Sequence, residues 1–470
     1  MRKKILDNKK TILLFVIISI FIFIQIWTFA LRDINSLWNY NFARKISQGY
    51  VPYRDFNMLQ TPFYFYVMSL FLKIFGNQML IYVIGETLIS VSIIIVLYKV
   101  FLNIHKNKDE ALSYLGIGSI FYMSFLLFVS YNDLCSLLVL LALYLELKNR
   151  KKQVKHFDYF IGILMTVCLF TKQSTGLVFF IINIGLLFIE KREVKLKIKS
   201  FVKRNSIFLV LSLAYLFYLH CNNAMYNFYD YTILGIREFK DNNLKITSLT
   251  IIVFLLALFP IVKSIIVYFK TKDNQILILL SYLAVILSSS YPIFDINHTY
   301  VFVFFVILLF PYAFKRKYIV NIFVIIFSII IYIIVLNNLR TSSNFVFYND
   351  SKYYKLVPIN PSLKESIIDI TAYIQKEEKT GTKVIMVDNF SAYFTIELSQ
   401  NNNYFDLPLQ GNLGFNGEQK VIKEIKSMKK GTKFLISNAN DYQELSNTKN
   451  YIRHNYKEIG TIGRYYIYEK

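Results

Sequence analysis

Eight polar residues stand inside or beside the apolar stretches of this chain, in types and spacings that could do chemistry. Asp33 follows the first apolar run, and Arg54 and Asp55 lie in the loop beyond it. Asp133 opens a later run, while Lys172 and Gln173 close the run ending at Thr171. Asp295 and His298 share the segment Tyr291-Pro292-Ile293-Phe294-Asp295-Ile296-Asn297-His298. Carboxylates can take up a proton; lysine, arginine, imidazole and amide groups can hold an anion. Ionisable groups at membrane depth are costly and usually functional. Each residue also has a structural alternative. Asp33 and Asp133 could cap helices, Asp55 and Asp295 could form turns, Lys172 could snorkel to headgroups, and His298 could satisfy a loop carbonyl. Two carboxylates and one histidine make an incomplete metal site, so a divalent metal stays open.

The elements that position these residues are mostly apolar. The chain has 470 residues, 55% hydrophobic and only 18% charged, with mean hydropathy +0.42. Soluble domains sit nearer ~45–50% apolar and ~25% charged, so a large soluble enzyme is excluded. Several runs approach the ~20 residues that cross a bilayer as a helix. The net charge of +23 does not point to nucleic acid: from Asn337 onward 18 Lys/Arg face 14 Asp/Glu, so +19 belongs to the membrane part. Three cysteines, Cys135, Cys168 and Cys221, lie in or beside apolar segments without CxxC spacing, which argues against a thiolate zinc site. The first run, Thr11 to Leu31, is longer than a signal-peptide core and lacks a small-residue cleavage site, so it reads as a retained span.

Basic loops set the topology. Apolar runs fall at 11–31, 61–75, 78–102, 111–130, 134–147, 158–171, 176–190, 205–221, 247–269, 276–290, 299–314 and 318–336. If all crossed, with the N-terminus cytoplasmic, the basic segments 148–156 and 191–204 would lie outside, against the positive-inside rule. With 61–75 lying in the outer interface instead, cytoplasmic segments carry 24 Lys/Arg and outward segments before the C-terminal region carry 9. The sequence therefore predicts about eleven spans, with loop 32–77 and the C-terminus outside. Within that loop, Ile34, Leu37, Trp38, Phe42 and Ile46 line one side of a predicted amphipathic helix in the headgroup plane.

Composition changes beyond Asn338. Residues 361–378 read as a helix, 383–387 and 433–437 as buried strands, 464–469 as a last strand, with helices near 390–399, 416–428 and 442–454. Residues 411–417 read as a loop rather than a nucleotide cradle. The expected organisation is a transmembrane domain over 1–336 and a small extracytoplasmic α/β domain over 337–470.

Three motifs then carry a resemblance. The acidic residue after the first span, Gly49 followed by Pro52-Tyr53-Arg54-Asp55-Phe56, then Pro62 and Phe75-Gly76 form the first. The others are Thr171-Lys172-Gln173-Ser174-Thr175-Gly176-Leu177 and the Tyr291–His298 segment. Together they resemble the GT-C glycosyltransferases, including protein O-mannosyltransferases and aminoarabinose transferases, over most of residues 1–336. Many relatives carry Asp-Glu and Pro-Pro where this chain has Asp33-Ile34 and Thr61-Pro62; Ile34 makes a metal-dependent variant less expected.

The resemblance implies a GT-C-like fold and transfer of a sugar from a polyprenyl phosphate to a cell-envelope glycan, lipid or protein. Transfer would occur on the outer face of a bacterial plasma membrane with inversion of the anomeric centre. It implies Asp33 as the base, Asp55 assisting, and Lys172, Gln173, His298 and Arg54 on the donor phosphate, with Asp133 and Asp295 as further candidates. Rival readings are a flippase for lipid-linked saccharides, which would predict internal repeats, and a glycan polymerase or ligase, which would place a large outer loop late in the chain.

Overall fold

A computed structural model of the chain describes residues 2–105, 107–126, 129–152, 154–189, 193–243, 248–313, 345–400, 406–407, 411–437 and 445–470. It divides into two compact units. The first comprises Met1–Ile26, Ile84–Tyr215 and Lys245–Ser343; the second comprises Trp27–Val83, Leu216–Leu244 and Asn344–Lys470.

Helices follow the apolar runs. In chain order they are α1 (Arg2–Phe29), α2 (Ile34–Ser47), α3 (Phe63–Phe75), α4 (Met79–Ile104), α5 (Lys108–Phe125) and α6 (Tyr131–Lys151). There follow α7 (Phe157–Thr171), α8 (Gln173–Ile189), α9 (Val194–Cys221), α10 (Met225–Tyr229), α11 (Gly235–Asn243) and α12 (Ser248–Thr271). The series closes with α13 (Asn274–Leu287), α14 (Ile296–Phe305) and α15 (Phe310–Ala313). Ten of the eleven runs read as spans coincide with helices, and the eleventh, 318–336, lies outside the described residues. Among the described residues four helical stretches are long and apolar enough to cross a bilayer: Thr11–Phe29, Met79–Ile104, Val194–Cys221 and Thr250–Thr271.

Side-chain caps fix several helix starts in the first unit. Asn107 accepts from the Asp109 backbone N–H at 2.9 Å ahead of α5, and Asp273 accepts from that of Gln275 at 2.8 Å ahead of α13. Each satisfies a backbone donor that the helix leaves open. Two glycines let helices meet at backbone distance. A Cβ on Gly162 of α7 would lie 2.6 Å from the carbonyl of Arg204 in α9, and one on Gly176 of α8 would lie 2.2 Å from the Cα of Leu169 in α7.

In the second unit α2 packs against α3, with the Phe42 ring edge-on to Phe65 at 5.4 Å and stacked on Phe56 at 5.6 Å. The predicted extent of α2 holds, but its surroundings differ from those of a helix with one wet face. Both sides are covered by protein, and Asn41, Arg44 and Lys45 are as buried as Leu37 and Phe42. Between α10 and α11 the chain widens into one π-helical turn, Asp230–Leu234.

The C-terminal part adds a two-stranded antiparallel pair, β1 (Val346–Phe347) with β2 (Pro358–Ile359), and then α16 (Pro361–Lys379). Next come β3 (Val384–Met386), α17 (Ser391–Glu397), α18 (Gly417–Ser427), β4 (Lys433–Ser437), α19 (Ser446–Asn455), β5 (Lys457–Ile462) and β6 (Tyr465–Glu469). The sheet order is β3-β4-β6-β5, parallel between β3 and β4 and antiparallel elsewhere. Ile385, Val421, Ile425, Phe434, Ile436 and Ile452 centre its core. This is the expected small α/β arrangement. The sequence did not signal β5, a charged edge strand with mostly exposed residues. Segment 411–416 is a loop, as read, with Gly417 opening α18; a Cβ on Gly414 would fall 2.1 Å from Asp230 Oδ2, so this glycine allows close packing on the π-helical turn.

Candidate active site

Asp33 sits between α1 and α2 and is the N-cap of α2. Its Oδ1 accepts from the backbone N–H of Asn35 at 2.7 Å and from Asn35 Nδ2 at 3.0 Å. The side chain is partly buried, and burial raises its pKa above the ordinary aspartate range, against opposing hydrogen bonds from Asn35 and Ser36. Tyr393 of α17 stands beside it. The Tyr393 hydroxyl donates to the Leu31 carbonyl at 2.9 Å, and its own pKa is raised by burial and then by the Asp33 charge. Trp38 Nε1 donates to the Asn389 carbonyl at 3.1 Å, so α2 is tied to the end of β3.

Arg54 and Asp55 occupy a tight loop. Asp55 accepts both guanidinium bonds of its neighbour, from Arg54 Nε at 2.9 Å and Nη2 at 2.8 Å, and a third from the Val51 backbone at 2.7 Å. The Arg54 bond holds the carboxyl below its usual range. Tyr53 adopts a left-handed backbone (φ 68°). Its buried hydroxyl donates to the Gln60 carbonyl at 2.6 Å, and its backbone carbonyl accepts from Asn227 Nδ2 at 2.7 Å.

The remaining candidates belong to the first unit. Lys172 forms the one-residue turn between α7 and α8. It is buried; its Nζ donates to Asn132 Oδ1 at 2.9 Å and to the Ser289 carbonyl, and stands 5.3 Å from the Tyr131 ring centre. Two of its three N–H groups are thereby committed. Gln173 begins α8, and Ser174 donates to the Ser288 carbonyl at 3.3 Å. Asp295 caps α14, with Oδ1 accepting from the His298 backbone at 2.9 Å and lying 2.6 Å from His298 Nδ1. Asp295 also acts electrostatically on Lys172. Lys172, Asp295 and His298 are thus brought together on the turns beside α6, α8 and α14. Asp133 is wholly buried: Oδ2 accepts from the Ser130 backbone at 2.8 Å, completing a capping box, and Oδ1 accepts from Tyr122 at 3.1 Å and from Tyr300. These bonds from Ser130, Tyr122 and Tyr300 make the arrangement of a structural cap.

Asp33, Arg54 and Asp55 belong to the second unit. Among the described residues no group of three or more His, Cys, Asp or Glu gathers as metal ligands would. Sequence reasoning placed Trp38 only on the apolar side of α2, and it did not find Tyr393 or the buried ion pair of Lys45 with Asp406. Lys45 and Asp406 lie 361 positions apart, so no local spacing signals them.

These features define a multi-pass membrane protein with the GT-C-like fold expected from the motifs, bearing a carboxylate at the close of its first helix and a lysine in a mid-chain helix turn. Residues 59–220 match the family described as dolichyl-phosphate-mannose-protein mannosyltransferase. That stretch includes Lys172 and lies between Asp55 and Asp295. Over its full length the chain is similar to the crystal structure of ArnT from Cupriavidus metallidurans bound to undecaprenyl phosphate, with TM-score 0.61, 12% identity, and 98% of each chain covered. It is similar also to the apo state of that protein, with TM-score 0.59, 11% identity and the same coverage. At such identity the likeness is one of fold. No curated protein matches the chain by sequence.

Proposed function

We propose that the chain is an integral-membrane glycosyltransferase that moves a sugar from a polyprenyl-phosphate donor to a cell-envelope glycan, lipid or protein. The observation that carries this reading is the full-length likeness in fold to a protein crystallised with undecaprenyl phosphate. The match of residues 59–220 to a mannosyltransferase family adds to it. The apolar helices hold the prenyl chain, and the C-terminal α/β region lies on the acceptor side, outside a bacterial plasma membrane.

In this reading the acceptor oxygen attacks the anomeric carbon from the face opposite the phosphate, the carbon–oxygen bond to the lipid phosphate breaks, and the configuration inverts. Asp33 takes the hydroxyl proton; burial that raises its pKa also raises its basicity. The leaving phosphate needs cations and donors. Lys172 has one N–H beyond its two protein bonds, and Gln173 supplies a neutral donor. His298, whose Nδ1 faces Asp295, offers Nε2. Asp55 holds the half-exposed Arg54 guanidinium in place as an anion-binding group of its loop.

The test is transfer of radiolabelled sugar from polyprenyl-phosphate donors by membranes holding wild type or Asp33→Asn at equal protein level. Wild type is expected to transfer, and the variant to lose roughly 10²–10⁴-fold. Equal transfer by both removes Asp33 from catalysis. No transfer from any donor, with movement of lipid-linked saccharide across vesicles, replaces the enzyme with a transporter.

A further inference from the structure

A polar cavity of about 830 Å³ lies in the first unit between the α6–α7 turn and the start of α9. Lys155, His156, Lys199 and Lys203 line it, with Val154 and Leu196 supplying apolar wall. Its one acidic lining residue, Asp158, is already matched: it accepts from Arg204 Nε at 2.8 Å and from Ser200 Oγ at 2.9 Å. Arg204 is itself buried, bonded to Asn183 and seated over the Phe157 ring at 5.0 Å. The floor of the cavity is therefore neutral and fixed, and the three lysines remain as net positive charge. Lys203 is held 5.3 Å from the centre of the Tyr159 ring. The turn is braced by Asn149 Oδ1, which accepts from the Val154 backbone at 2.9 Å.

The surface beside the cavity is apolar. Along the first turns of α9, Val194, Leu196, Ile198, Phe201 and Val202 are 39–70% exposed, interleaved with Lys195, Lys197, Lys199 and Lys203. Cations around a ligand-sized hollow bind an anion, and exposed apolar side chains beside it bind hydrocarbon. An inorganic phosphate would use the first and leave the second in water; one molecule carrying both an anion and acyl chains uses both. The volume lies within the ~300–1,000 Å³ of small-molecule sites, and basic pockets between membrane helices suit phospholipid headgroups.

We propose that this cavity binds the phosphate headgroup of an anionic bilayer phospholipid, whose acyl chains lie along the apolar side chains at the start of α9. The site uses none of the residues assigned to sugar transfer and stands or falls independently of that reading.

The test is native mass spectrometry of the full-length protein in detergent with phosphatidylglycerol, phosphatidylcholine or undecaprenyl phosphate. Wild type is expected to retain one phosphatidylglycerol in preference to phosphatidylcholine. Lys155→Ala/Lys199→Ala/Lys203→Ala is expected to lose that preference at about fivefold per lysine, while Lys270→Ala/Lys272→Ala keeps it. Should the triple variant fail to fold, Lys199→Gln alone, at an exposed position, is expected to show the single-lysine loss. Equal retention of the two phospholipids by wild type overturns the proposal, as does an unchanged preference in the Lys155/Lys199/Lys203 variants. Displacement of phosphatidylglycerol by millimolar inorganic phosphate assigns the site to free phosphate, and retention of undecaprenyl phosphate that falls in the Lys155/Lys199/Lys203 variants assigns it to the prenyl lipid; either overturns it too.

Discussion

Asp33 holds two jobs that substitution can separate. As the N-cap of α2 it satisfies a backbone donor, and as the proposed base it must carry a charge. Asparagine and serine cap about as well as aspartate, whereas alanine costs ~0.5–2 kcal/mol. Asp33→Asn and Asp33→Ser are therefore expected to unfold at the wild-type temperature in a detergent melt while losing transfer. Asp33→Ala is expected to lose both. If Asn and Ser variants kept wild-type turnover, the cap would be the whole role of this residue. The pH profile gives a second check. Burial raises the Asp33 pKa, and a base works only when deprotonated, so kcat/KM is expected to fall on the acid side with a midpoint above the ordinary ~3.9. A midpoint at or below that value would place the base elsewhere.

At the scale of elements, the one-residue turn that places the buried Lys172 depends on backbone contact between α7 and α8. A Cβ on Gly176 would meet the Leu169 backbone at 2.2 and 2.4 Å, atoms that cannot swing aside. Gly185, in the same helix, has nothing within 4 Å of such a Cβ. Gly176→Ala is expected to cost ~1–3 kcal/mol or more through overpacking and to weaken donor binding as Lys172 shifts. Gly185→Ala is expected to be neutral or to stabilise by up to ~1 kcal/mol, because it only reduces backbone freedom. Parallel thermal melts and a KM for the lipid donor separate the two. Much at this scale was legible in the sequence, since helices and buried strands follow apolar periodicity and turn chemistry. Strands 433–437 and 384–386 fell where short apolar runs, each opened by a Gly-Thr-Lys turn (381–383 and 431–433), put them. What escaped has no periodic signal. β5 is an exposed charged edge, and α2 looks amphipathic because its polar side is buried by Asp406 and Gln400 from the far end of the chain. The motifs named the candidate site residues, but Tyr393 reaches the Asp33 turn only through tertiary folding.

At the scale of the molecule, the loop after the first helix and the C-terminal residues form one folded body. Tyr393 bonds to Leu31, Asn389 to Trp38, Asn412 to Asn57 at 3.0 Å, and Asp406 to Lys45. The Lys45–Asp406 pair is almost wholly buried, and Asp406 also accepts from Thr395 at 3.0 Å. Removing one partner of such a pair strands a charge away from water and costs ~3–5 kcal/mol, whereas replacing both with apolar residues of similar volume is often neutral. Asp406→Ala is therefore expected to loosen α2 even though the change lies in the C-terminal region, while Lys45→Met/Asp406→Leu restores it. Trypsin reads this directly, because Arg44 and Lys45 are fully buried cleavage sites. Wild type should resist cutting at both, the double variant should resist it at Arg44, the site it retains, and Asp406→Ala should be cleaved at both, with sugar transfer lost in step. Cleavage resistance in Asp406→Ala would mean that the C-terminal residues cover the loop without holding it, leaving the placement of Asp33 to the membrane helices alone.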